Sequence, residues 1–186
     1  MFIQTEDTPN PAALKFLPGR TVMETGSVHY DSLEVAEASP LARRLFAVDG
    51  VSQVFFGADF ISVTKTPDYE WFTIKPGVLA AIMEHYASGM PVVEKHAGAD
   101  EGAGDGEDSE VVAQIKHLLD TRVRPAVAMD GGDIVFKSFD EGVVTLRMQG
   151  ACQGCPSSTA TLKMGIENML RHYIPDVREV RADEEG

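Results

Sequence analysis

Apolar and polar positions follow two rhythms along this chain, a period of two and a period near 3.6, and each change of rhythm marks an element. Phe2 to Thr5 and Leu14 to Leu17 read as short strands, with Thr8-Pro9-Asn10-Pro11 as the turn between them. Ser39 predicts a helix N-cap and Pro40 the first helical position, ahead of Leu41 to Phe46. Val51 to Phe56 and Phe60 to Thr64 are rich in β-branched and aromatic residues and flank Gly57-Ala58-Asp59, so they predict a hairpin. Pro76 is expected to open a helix whose buried stripe is Leu79, Ile82, Met83 and Tyr86. Trp71, Phe72, Phe55 and Phe56 are expected in the core of this half.

The second half is more regular. Val111, Val112, Ile115, Leu118, Leu119 and Val123 lie on one helical face, and Pro125 is expected to stop that helix. Asp130-Gly131-Gly132-Asp133 reads as a turn and not as a pair of metal ligands. Ile134 to Phe139 and Val143 to Met148 predict strands joined at Asp140-Glu141-Gly142. A helix after Pro156 would bury Leu162, Ile166, Met169, Leu170 and Tyr173, and Val177 to Val180 reads as a last short strand. The expected fold class is α+β: two small α+β domains, the second ordered α-β-β-α-β, with no internal repeat relating them.

Between the halves, residues 97–109 contain only Gly, Ala, Ser and acidic side chains. Such a segment buries nothing and repels itself, which predicts a flexible tether with a mean reach of about 20 Å. The division expected is residues 1–92 as an N-terminal domain, 93–109 as linker and 110–182 as a C-terminal domain. Charge sharpens this division. The 186 residues carry a net −13, split as −5 in residues 1–96, −5 in residues 97–109 and −3 in residues 110–186. Much of the acidity thus belongs to the tether and to the tail Asp183-Glu184-Glu185. A net-acidic chain is a poor match for the phosphate backbone, so no nucleic-acid partner is expected. No apolar run approaches the roughly 20 residues that span a bilayer, so no membrane partner is expected either. The start, Met1-Phe2-Ile3-Gln4-Thr5-Glu6-Asp7, turns polar and acidic at once. It resembles no leader, and a cytoplasmic, bacterial-type location is expected.

The candidate chemistry is concentrated in the only two cysteines, Cys152 and Cys155, in Gly150-Ala151-Cys152-Gln153-Gly154-Cys155-Pro156. This spacing turns two sulfurs from one loop toward a common point. Pro156 at a helix start puts Cys155 beside unpaired N–H groups and the positive end of the helix dipole, which favour thiolate, the form that binds metal or attacks a disulfide. Three readings compete. A thiol–disulfide oxidoreductase would use the pair directly, although the preceding strand closes a hairpin, not a βαβ unit, and no aromatic residue directly precedes Cys152. A zinc site within one chain needs two more ligands, and His29, His85, His96, His117 and His172 each read as ordinary surface or boundary residues. A shared site would take two thiolates from each of two chains, which suits a [4Fe–4S] cluster or a bridging zinc. Arg122, Arg124, Lys163 and Arg171 read as a solvated helix face.

The run from Gly150 to Leu170 resembles the C-terminal domain of NifU, found in Nfu-type iron–sulfur scaffold and carrier proteins. Arg124-Pro125 and Asp130-Gly131-Gly132-Asp133 are similar to the segment ahead of the hairpin in that domain. Met1 to Pro11, with Leu14-Lys15-Phe16-Leu17-Pro18-Gly19, looks like the Nfu N-terminal domain. The resemblance implies a carrier and not an enzyme, with Cys152 and Cys155 as ligands of a [4Fe–4S] cluster shared in a homodimer. It also implies upstream cluster assembly proteins as donors and apo iron–sulfur proteins as recipients, the latter docking on the N-terminal domain. The sequence leaves a [2Fe–2S] form open.

Overall fold

The computed structural model describes residues 2–94, 110–151 and 156–183. The tether expected over residues 97–109 lies outside the described residues. The described chain is α+β and forms two sheets, each with its own apolar core.

The first sheet has five strands: β1 (Gln4–Asp7), β2 (Ala13–Leu17), β3 (Val28–Tyr30), β4 (Val51–Phe56) and β5 (Ile61–Lys65). Their spatial order is β1-β2-β5-β4-β3, and every pairing is antiparallel. The helices α1 (Pro40–Phe46) and α2 (Trp71–Ser88) cover one face. Strand alternation sends Leu14, Phe16, Val54, Phe56, Ile61 and Val63 into that core, where they meet Leu41, Leu45, Ile74, Val78 and Ile82. The cap of α1 forms as expected: the Ala42 N–H donates to Ser39 Oγ at 3.0 Å. The Thr8–Pro11 turn also forms, closed by the Thr8 hydroxyl donating to the Asn10 carbonyl at 2.8 Å.

Two sequence expectations are corrected here. The helix expected to open at Pro76 begins at Trp71 and holds Pro76 inside it. The missing proline N–H would have reached the carbonyl of Phe72, whose exposed position near the helix start leaves that carbonyl to water. The buried stripe is accordingly rotated to Ile74, Val78, Ala81, Ile82 and His85, and Met83 faces out. Phe56 is buried in this core as expected; Phe55 is buried too, but on the opposite face of the sheet and outside this core, while Phe72 is 81 % exposed and Trp71 only half-buried.

The second sheet contains β6 (Gly132–Asp140), β7 (Val143–Gly150) and β8 (Glu179–Ala182), with β8 parallel to β7. The β6–β7 turn places Glu141 and Gly142 at φ 47° and 85°, the left-handed pair that a two-residue hairpin requires. Helices α3 (Glu110–Leu118), α4 (Arg124–Met129) and α5 (Pro156–Tyr173) complete this body. Ile115, Leu119, Val123, Val127, Ile134, Val144, Leu146, Ile166 and Leu170 form its core. Pro125 does not stop the helical path. A wide π turn over Leu119–Val123 hands the chain to α4, in which Pro125 takes an early position where no N–H is needed.

Candidate functional site

Cys152 and Cys155 lie outside the described residues, so the site is built from its frame. Strand β7 ends at Gly150, Ala151 is buried, and α5 starts at Pro156. The cysteine pair therefore falls in the connection between a strand end and a helix start. Gly150 sits at φ 66° opposite Gly132 in the β6–β7 register, and the Ala151 N–H donates to the Gly131 carbonyl at 3.2 Å. Gly131 is itself left-handed at φ 80°. Two glycine turns thus meet at the base of the cysteine connection.

Arg124 and Asp133 brace this base. Arg124 Nε donates to Asp133 Oδ1 at 3.0 Å and its Nη2 to Asp133 Oδ2 at 2.8 Å, a two-pronged pair. The Ile134 N–H donates to the same Oδ1 at 2.7 Å, and Arg124 also pairs with Asp120 at 3.1 Å. These bonds hold the Arg124 guanidinium above its ordinary value, and the turn reading of Asp133 is replaced by that of a nearly buried ion-pair partner. Because Asp133 would be left buried and uncompensated, Arg124→Ala should destabilise the C-terminal domain by about 3 kcal/mol. The urea midpoint of unfolding measures this, and adding Asp133→Asn should recover part of the loss. The other cations of the expected solvated face behave differently from Arg124: Arg122 lies over the Tyr173 ring at 5.1 Å, and Arg171 pairs with Glu167 at 3.7 Å.

The two bodies touch at this same base. On the first sheet, the face away from α1 and α2 carries Lys15, Ser62, Phe55 and His29 side by side, because Lys15 pairs with Ser62, Ser62 with Phe55 and Phe55 with His29. Lys15 Nζ donates to the Met129 carbonyl at 3.4 Å, and the Gly150 N–H donates to His29 Nδ1 at 3.4 Å. The Ser27 hydroxyl donates to Asp133 Oδ2. A Cβ placed on Gly150 would lie 3.0 Å from the Phe55 ring, and one placed on Gly131 would lie 3.5 Å from Ser62 Oγ. None of this packing is visible in the sequence, where β3 has no signal of its own and Phe55 reads as core of the first half.

Of the histidines read as surface or boundary residues, His29 is a boundary residue and His85 is neither. His85 is fully buried, and burial with nearby Arg44 holds its pKa below the usual value. Burial pushes His29 down to about 4, an effect of Arg147 adding to it and Asp31 opposing it. The neutral ring is what lets Nδ1 accept from Gly150. Both shifts have the same sign: the folded protein keeps the rings neutral, while the unfolded chain takes up protons near pH 6.5. Stability is therefore full above that pH and falls as pH drops toward 4, by about 3 kcal/mol from His29. Melting temperature measured between pH 7.5 and 4.5 should fall, and His29→Gln should flatten the slope. Among the described residues, no three His, Cys, Asp or Glu side chains gather into a metal site. No described helix is long and apolar enough to cross a membrane.

Two α+β bodies with a Cys-x-x-Cys between a strand end and a helix start fit a metal-binding or redox dithiol protein, and comparison with known proteins narrows that class. Residues 3–89 match the family described as scaffold protein Nfu/NifU N terminal, and residues 115–181 match the NifU-like domain. The human "NFU1 iron-sulfur cluster scaffold homolog, mitochondrial" is 54% identical over 181 residues, covering 97% of this chain and 71% of that protein. "NifU-like protein 4, mitochondrial" of Arabidopsis thaliana is 52% identical over 190 residues, covering 100% of this chain and 67% of that protein. A solution structure of a NifU-like protein from Saccharomyces cerevisiae is 28% identical, with a TM-score of 0.47, and covers 52% of this chain and 87% of that one. The chain belongs to the Nfu family of iron–sulfur cluster scaffold proteins. The cytoplasmic, bacterial-type location expected from the first residues is overturned, because these relatives are mitochondrial proteins. The polarity of seven residues was too thin a basis for a compartment.

Proposed function

We propose that the protein is an iron–sulfur cluster carrier in which Cys152 and Cys155 of each of two subunits together hold one [4Fe–4S] cluster and release it to apoproteins. The observation that carries this is the donor count. One chain offers two thiolates, in a single Cys-x-x-Cys within the NifU-like domain, and the described residues offer no further metal cluster of side chains. Four thiolates complete the ligand set of such a cluster, so two chains are needed. Separating them removes half the ligands, which suits cargo meant to leave. Nothing in this function requires turnover of a substrate. Upstream cluster assembly proteins supply the cargo, and the N-terminal domain holds the recipient close to it at raised effective concentration.

Anaerobic reconstitution of the full chain tests the reading. Four iron and four sulfide per dimer are expected, with mass in solution doubling on loading. A cluster held firmly by a monomer, or zinc in place of iron under those conditions, would overturn it. Deleting residues 1–96 should preserve cluster assembly and slow transfer to a recipient, as followed by the recipient's own absorbance or activity. Loss of assembly in that truncation would refute the division of labour.

A further inference from the structure

The row Lys15, Ser62, Phe55 and His29 crosses four strands in register, and the C-terminal domain covers it. What it touches is specific: the end of α4 at Met129, the left-handed Gly131, and Gly150 two residues ahead of Cys152. These are the backbone turns at the base of the cysteine connection. From this juxtaposition we propose that the N-terminal domain is an intramolecular cap, docked through this row onto the base of the Cys152–Cys155 connection in the cargo-free protein and displaced when that connection pairs with a second subunit's.

The chemistry of the interface suits a cap that must open. Its polar bonds include a close one from the Ser27 hydroxyl to Asp133, while those of Lys15 and His29 are both long at 3.4 Å. His29 Nε2 and Ser62 Oγ are sealed from solvent with no hydrogen-bond partner among the described residues. Each gains water when the domains part, which offsets the breaking of those long bonds. An open cleft of about 290 Å³ lies between Ser27 and Phe60 on one side and Arg124, Pro125 and Ala128 on the other. A close-packed, permanent interface pairs its buried polar atoms. The glycines matter on the opposite side of the balance, since a Cβ on Gly131 would already press on Thr8 Cγ2 at 3.2 Å. The sheet face approaches bare backbone there, so the cap fits only while Gly131 and Gly150 lack side chains. A docked cap lowers the fraction of chains competent to pair, and apparent affinity for a second subunit falls by that fraction.

The test uses the reduced, iron-free full chain and Ser62→Arg, which cannot fit against Gly131 but leaves the core face of the sheet untouched. Hydrogen exchange of the Gly150 amide should quicken about tenfold or more, and alkylation of Cys152 and Cys155 by N-ethylmaleimide, read by mass spectrometry, should quicken severalfold. Ser62→Ala should match the unaltered chain. If Ser62→Arg unfolds the first domain by circular dichroism, His29→Arg on the edge strand β3 makes the same test. Exchange and alkylation rates equal to the unaltered chain in a folded variant would overturn the cap. The inference deepens the proposed function, and the two fail separately. Quickened exchange and alkylation in a chain that never takes up iron would sink the carrier reading alone. Iron uptake with unchanged exchange and alkylation would sink the cap alone.

Discussion

Replacing either Cys152 or Cys155 by serine should lower bound iron and sulfide by at least about tenfold after anaerobic reconstitution and abolish cluster-dependent dimers. A serine hydroxyl is not ionised near neutral pH, and a soft iron–sulfur cluster has little affinity for it. Each single change removes two of four ligands from the dimer at once, because the symmetry repeats it. That doubling is a signature of the shared site: in a monomeric site one serine would remove one ligand and leave three. The fold should be indifferent. Among the described residues, Phe16, Leu41, Phe56 and Ile82 build one core and Ile115, Ile134, Leu146 and Leu170 the other. Urea midpoints of both variants should therefore match the unaltered chain. A variant that kept its iron, or one that lost its cooperative unfolding, would count against the assignment of these two residues as ligands.

Much of the fold was readable because period-two alternation and turn chemistry are local. Val51–Phe56 and Ile61–Lys65 pair as the hairpin that Gly57-Ala58-Asp59 announces, and Glu141-Gly142 closes β6 onto β7. Both failures around proline share one cause. Pro76 and Pro125 were read as boundaries, yet proline forbids only its own N–H, and a helix tolerates that where the carbonyl it abandons meets water or a π turn widens the path. The burial of His85 and the contact of His29 were missed because tertiary packing, not sequence period, sets them. His85 lies on the stripe that the Pro76 error rotated, and His29 is covered by another domain. The same reason hid the role of Asp133: Arg124 stands nine residues earlier in sequence, and only folding of α4 against β6 brings the two together.

Gly150→Ala should be the most damaging single-methyl change in the C-terminal domain, costing about 2–4 kcal/mol and impairing cluster retention in what remains folded. Two effects add. Gly150 holds φ at 66°, a conformation that a Cβ makes strained. The added Cβ would also lie 2.7 Å from the Gly131 carbonyl oxygen and 3.0 Å from Gly132 Cα. Both are backbone atoms, so no side-chain rotation relieves the clash. Relief requires the β6–β7 ladder to open at its last pair, Gly132 with Gly150, which also breaks the Ala151 bond to Gly131. That is the backbone from which the Cys152–Cys155 connection departs, so its geometry shifts even in molecules that stay folded. Gly142→Ala, also left-handed but at the far hairpin, separates the two consequences. It should lower the urea midpoint while leaving iron stoichiometry in the folded fraction unchanged. Iron retention lost only in Gly150→Ala would tie the turn to the site, and equal retention in both would reduce Gly150 to a folding residue.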